Sequence, residues 1–156
     1  MRLTEIITKS AEETKKIAAN LQDLKKQPIL KHAFIIALEG NLGSGKTTFI
    51  QGLAKGLEIR ESVLSPTFLI LKQFPINYSA RGGPAVGWKN FYHIDAYRLK
   101  NPEELLDLGF SDLINNPENI IVIEWADKIK KILPKNTIWI KFINLGENKR
   151  MITIKK

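Results

Sequence analysis

Apolar positions along this chain come as unbroken runs and as spaced ones, and the two patterns predict different elements. In HAFIIALEG (32–40) the residues 33–38 are all apolar, and NIIVIEW (119–125) repeats the pattern. Runs of that length bounded by polar residues predict strands buried on both faces. TFLILKQF (67–74) and NFYHIDAYRL (90–99) are rich in β-branched and aromatic residues and predict two further strands. NTIWIKFINL (136–145) and RMITIKK (150–156), either side of the turn GENK, predict a closing antiparallel pair near one edge of the sheet. The spaced pattern occurs in SAEETKKIAANLQDLKK (10–26), where Ile17, Leu21 and Leu24 stand at helical intervals. Ser10 and Glu13 have capping-box spacing at its start, and Gln27-Pro28 closes it. A helix is expected from the Gly-rich turn after residue 40 to about Leu57, and another over 101–110, with Asn101 as cap and Pro102 at its first position. DKIKKIL (127–133) reads as a short helix stopped by Pro134, and PINYSARGGPAVGWK (75–89) reads as a loop. Strands alternating with helices predict an α/β fold of three layers, with a largely parallel central sheet and antiparallel strands toward the edge.

At 156 residues the chain suits a single domain, 1–156. It has no cysteine, which excludes a disulfide scaffold and a zinc–thiolate site and fits a reducing compartment. The segment MRLTEIITKSAEETKK lacks the apolar stretch of a signal peptide, and 33–38 is far too short to span a bilayer, so a cytoplasmic location is expected. The formal net charge of +8 attracts polyanions such as nucleotides and nucleic acid. The lysines are scattered, however, so charge alone does not declare direct nucleic-acid contact.

GNLGSGKT (40–47) matches G-x-x-x-x-G-K-[ST] between a predicted strand and a predicted helix, the context that this motif requires. Gly40, Gly43 and Gly45 permit a tight loop whose N–H groups point inward, and the following helix N-terminus favours anions. Lys46 supplies a point charge for the β and γ oxygens, and Thr47 a hydroxyl for Mg²⁺. A nucleoside triphosphate is the inferred ligand. In such folds a second strand ends in an acid beside the loop, which makes Glu124 a magnesium or water-positioning candidate, against the plainer reading of a solvent-facing strand end. Asp95 either orients the attacking water or is a turn-forming acid. His93 lies two residues earlier on the same strand face and reads more readily as structural. Thr67, in SPTF (65–68), stands where a switch loop brings a hydroxyl to the metal or the γ-phosphate, or else simply starts a strand. No N-K-x-D specifies guanine, and no ABC-type signature or Asp-Glu pair is present. Arg81 in the 75–89 loop leaves a small-molecule kinase with a lid open, and a non-hydrolysing, nucleotide-gated interaction module is a third reading.

GNLGSGKTTF, SPTF, YHIDAYRL and VIEWADK occur in this order after a SAEET helix. Together they resemble the TsaE (YjeE) family of bacterial P-loop ATPases over about residues 8–145. The resemblance implies a Mg²⁺-dependent ATPase, feeble alone, that acts with TsaD and TsaB in threonylcarbamoyladenosine modification of tRNA. Hydrolysis would reset the TsaD–TsaB complex between rounds. It further implies that ATP is held by Thr14 and by Asn41, Leu42, Gly43, Ser44, Gly45, Lys46, Thr47 and Thr48. Thr47 and Glu124 would be the metal ligands, Lys46, Asp95 and Glu124 the catalytic group, Thr67 the switch residue, and Trp125 the aromatic that follows the acid.

The 75–89 loop is longer than is usual for the family. If its flanking strands form a hairpin, the extra residues extend away from the phosphate loop, where insertions cost little. Trimming the loop is therefore expected to leave ATP affinity nearly unchanged in a titration. A large loss of affinity would instead support a lid and the kinase reading.

Overall fold

The computed structural model describes residues 3–21, 31–66, 68–77 and 87–155. In chain order the elements are β1 (Leu3–Thr8), α1 (Ala11–Ala19), β2 (Phe34–Glu39), α2 (Lys46–Gly56), β3 (Leu71–Pro75) and β4 (Asn90–Asp95). They continue with α3 (Glu103–Asp107), α4 (Phe110–Ile114), β5 (Asn119–Glu124), a 3-10 helix (Ala126–Ile132), β6 (Ile138–Gly146) and β7 (Lys149–Lys155). The strands form one seven-stranded sheet in the order β1-β7-β6-β2-β5-β4-β3. The central four, β6, β2, β5 and β4, run parallel, while β3, β7 and β1 are antiparallel to their neighbours. This is the expected α/β arrangement, with the closing pair β6–β7 near one edge.

Side-chain parity sorts the core into two layers. Phe34, Ile36 and Leu38 of β2, with Ile120 and Val122 of β5, face Ala18 of α1 and Phe49, Ile50 and Leu53 of α2. Ile35 and Ala37, with Ile121 and Ile123, face Leu105 of α3, Phe110 of α4 and Ile129 of the 3-10 helix. Every residue of β5 is buried, as an apolar run covered by helices on both faces requires.

Several expected boundaries move. The N-terminal strand β1 is absent from the pattern reading because most of its residues are exposed; among the described residues it is an edge strand paired only with β7. The helix expected over 10–26 ends at Ala19 with Asn20 as its cap, and residues 22–30 lie outside the described residues. Its start is as expected: Ser10 Oγ accepts from Glu13 N at 3.0 Å, and Glu13 Oε2 accepts from Lys9 N at 2.6 Å. The strand expected at 67–74 begins only at Leu71, since Ile70 adopts a left-handed conformation (φ 61°). The helix expected over 101–110 is two short helices divided at Gly109 (φ 84°), a conformation that ends one turn and begins the next. Asn101 Oδ1 still caps the first by accepting from Glu104 N at 3.2 Å.

β3 and β4 form the hairpin on which the loop argument depends. Their connection leaves from the Pro75–Asn90 pair, whereas Leu71 and Ile94 pair at the other end, beside Asp95. The loop therefore departs from the end of the sheet remote from Asp95. Residues 78–86, including Arg81, lie outside the described residues. Ile76 and Trp88 are buried, with Trp88 packed 5.3 Å from the Phe34 ring, so a trimmed loop must retain both.

α1 lies directly on α2. A Cβ on Gly52 would stand 2.3 Å from the Lys15 carbonyl oxygen, and one on Gly56 would stand 2.5 Å from that of Ala19. These are backbone atoms, so no rotamer change makes room. Gly52→Ala is expected to destabilise the fold by about 1–3 kcal/mol in urea unfolding, despite the better helix propensity of alanine. An unchanged midpoint would mean that α1 can shift away from α2 at no cost.

Candidate functional site

The turn after β2 delivers residues 40–45 to the C-terminal edge of the parallel strands, and Gly45 caps α2 in a left-handed conformation (φ 98°). At that edge β4 and β5 end level, with Asp95 paired in register with Glu124. A cleft of about 370 Å³ opens there, lined by the 42–48 loop together with Ser65, Asp95, Tyr97, Glu124, Trp125 and Arg150.

Two side chains converge on Glu124, which is buried at 4% exposure. Thr47 Oγ1 donates to its carboxylate at 3.0 and 3.1 Å. His93, fully buried, places Nε2 2.9 Å from Oε1. As the Nε2–H tautomer, His93 donates to the carboxylate and turns a bare nitrogen, Nδ1, toward the core, where it meets no partner among the described residues. The buried imidazole thus fixes the carboxylate beside the loop, a positioning role that reading the sequence did not assign it. Asp95 is held separately: Ser65 Oγ donates to Oδ2 at 2.7 Å and Tyr97 N donates to Oδ1 at 2.9 Å.

Lys46 is buried inside the loop. Its ammonium donates to the carbonyls of Gly40 at 2.7 Å and Asn41 at 3.0 Å and sits 4.2 Å from the centre of the Trp125 ring. Trp125 takes a left-handed conformation (φ 57°), costly for a bulky residue, at the junction of β5 and the 3-10 helix. That turn sets its ring between Lys46 and the Tyr97 ring, 5.0 Å away. Burial lowers the Lys46 pKa from the ordinary 10.5, against the opposing pull of Glu124, then Asp95 and Asp127. The unfolded chain holds this proton more tightly, so this group favours folding more as pH rises from the lowered value toward 10.5.

The cleft accordingly collects the loop residues from Leu42 to Thr48 with Asp95 and Glu124. Thr14 is not among its lining residues. Its side chain is fully buried, bonded to Thr8 Oγ1 at 2.9 Å and donating to the Ser10 carbonyl at 3.1 Å. Thr67 lies outside the described residues. Arg98 stacks its guanidinium 4.8 Å from the exposed Phe68 ring and does not line the cleft. Ser65, Tyr97 and Arg150 are cleft residues that the sequence did not single out. Ser65 at least stood inside a quoted motif, whereas Arg150 carried no signal.

The donor set suits a small hard cation. A hydroxyl and a carboxylate lie within one hydrogen bond of each other beside a phosphate loop, and Mg²⁺ takes few protein oxygens when phosphate and water supply the others. Among the described residues no group of three or more His, Cys, Asp or Glu could hold a metal by itself. No helix among them is long and apolar enough to cross a membrane.

Comparison with known proteins gives a consistent result. A family model for the threonylcarbamoyl adenosine biosynthesis protein TsaE matches residues 8–152. The tRNA threonylcarbamoyladenosine biosynthesis protein TsaE of Rickettsia felis is 37% identical over 152 residues, which cover 96% of this chain and 78% of the relative. The protein of the same name from Bacillus subtilis is 35% identical, over 94% of this chain and 81% of its own. A crystal structure of Bacillus subtilis YdiB superposes with a TM-score of 0.71 at 30% identity, covering 98% of this chain and 84% of that one.

Replacing Glu124 with Gln removes the strongest attraction on the Lys46 ammonium, so the Lys46 pKa is expected to fall further in an NMR titration of the labelled amine. An unmoved value would show that the carboxylate does not act on it.

Proposed function

The chain belongs to the TsaE family, and from that premise we propose that it is a Mg²⁺-dependent ATPase that works with TsaD and TsaB in forming threonylcarbamoyladenosine on tRNA. The observation that carries the ATPase reading is the Thr47–Glu124 hydrogen bond beside the phosphate loop, with Asp95 in the same cleft. It supports one site in which a phosphate-binding loop, a metal position and a water-positioning acid coincide.

In this reading the loop N–H groups and the N-terminus of α2 bind the β- and γ-phosphates. The Lys46 ammonium exchanges its loop carbonyls for phosphate oxygens, and the Trp125 ring limits where it can go. Thr47 and Glu124 would hold Mg²⁺, which would supply positive charge beside the phosphates. His93 keeps the Glu124 carboxylate turned toward Thr47. Asp95, oriented by Ser65 and the Tyr97 N–H, positions the attacking water. The water oxygen bonds to the γ-phosphorus and the bond to the bridging oxygen breaks. ADP leaves with that electron pair, and the water protons pass to inorganic phosphate and solvent. Catalysis is positioning and charge stabilisation. Arg98 is engaged with Phe68, which fits slow turnover alone and acceleration when TsaD and TsaB bind. Hydrolysis then resets the TsaD–TsaB complex for another round.

The test is Mg²⁺-dependent phosphate release by the purified chain, alone and with a TsaD–TsaB pair. Slow release that accelerates with the pair is expected. Lys46→Ala should abolish tight ATP binding, and Glu124→Ala should depress hydrolysis more than it depresses binding. Normal hydrolysis by the Glu124→Ala protein would remove Glu124 from the mechanism. Phosphate transferred to a metabolite would favour a kinase, and ATP-dependent partner binding without turnover would favour a nucleotide-gated module.

A further inference from the structure

Arg150 reaches the cleft from an unexpected direction. It belongs to β7, where it pairs with Thr8 of β1 and Asn144 of β6, yet it lines the same cleft as the phosphate loop. Its side chain lies flat against Gly45: a Cβ there would stand 2.7 Å from the Arg150 Nε and 2.9 Å from its Cδ. Gly45 thus has a second reason to be glycine, apart from its backbone conformation.

The guanidinium is underused. Its Nη1 is buried with no hydrogen-bond partner, and no carboxylate forms an ion pair with it, among the described residues. Ser44 Oγ, in the same cleft, is likewise buried and without a partner among them. A guanidinium left partly desolvated and unpaired is costly unless an anion completes it. Two such polar groups along one phosphate loop point to a single anionic ligand.

Sheet order says which part of that ligand Arg150 meets. β5 and β4, which carry Glu124 and Asp95, lie on one side of β2, and β6 and β7 lie on the other. Thr47 and Glu124 are bonded to each other on the acid side, where a metal held by them, and so the terminal phosphates, would lie. Arg150 stands on the opposite side of the loop.

We propose that Arg150 binds the α-phosphate end of the nucleotide, serving ATP and ADP alike, and is not the arginine that stabilises the γ-phosphate in the transition state. This rests on the reading of the cleft as a nucleoside triphosphate site. A planar, always-charged fork is suited to such a phosphate contact, and a lysine replaces it only in part.

The experiment measures Mg·ATP and Mg·ADP binding by calorimetry for the whole chain and for Arg150→Ala, Arg150→Gln and Arg150→Lys, with phosphate release followed over a range of ATP concentrations. Thermal unfolding identifies which variants fold, and Arg150→Gln keeps the stem that packs on Gly45. Both affinities are expected to fall together by about tenfold or more, with partial recovery in Arg150→Lys and with KM rising while kcat is largely kept. A loss confined to ATP would place the contact at the γ-phosphate and overturn the assignment. So would a fall in kcat at unchanged affinity, or no change in either. If the unaltered chain binds neither nucleotide, the site reading itself fails, and the assignment of Arg150 with it.

Discussion

Everything at this site depends on buried parallel strands ending level. β2, β5 and β4 lie side by side, and Asp95 and Glu124 occupy the same row of the register. Strands covered on both faces are mostly apolar along their length, so carboxylates enter where the strands run out, and the one imidazole within β4, His93, is bonded to such a carboxylate. That row is such a place. Ile120 to Ile123 are wholly buried, and the first charge comes where the next strand turns away to form the phosphate loop. A carboxylate at the end of a buried strand is therefore a consequence of topology: the edge that receives the loop is also the edge that can tolerate the acids.

The cluster so formed is held by mutual restraint. Glu124 and Asp95 are like charges in adjacent strands, both nearly buried. Each is tied by donors of its own, Thr47 and His93 for one and Ser65 and the Tyr97 N–H for the other. Lys46 supplies positive charge but is itself desolvated, and its pKa is lowered. A cation between Thr47 and Glu124 and phosphates along the loop would complete the balance of charge. The strained backbone at Trp125 belongs to the same arrangement, since it turns an aromatic face onto the ammonium.

Much of this was legible in the chain because it is local or periodic. The phosphate loop, the two buried strands, the Ser10–Glu13 box and the Asn101 cap each depend on residues within a few positions of one another. What escaped depends on distance or exposure. β1 shows no apolar run, because an edge strand with exposed faces does not need one. Arg150 meets Gly45 across more than a hundred residues, and nothing in RMITIKK announces that encounter. His93 looked structural because its partner, Glu124, sits on a different strand. Thr14 shows the reverse: family resemblance placed it near the nucleotide, while its hydroxyl is bonded to Thr8 and Ser10 inside the protein.

The two glycines of α2 carry a mechanical consequence. Where side chains separate two helices, a push on one is absorbed by rotamers and small slips before it reaches the other. At Gly52 and Gly56 nothing stands between the backbones of α1 and α2, and close-packed backbone has little compliance. The helices act as one rigid strut, and its inner end is Lys46 and Thr47. The outward surface of α1, with Glu12 and Lys16, is thereby geared to the phosphate loop: a force applied there would arrive at the nucleotide as displacement and not be lost along the way.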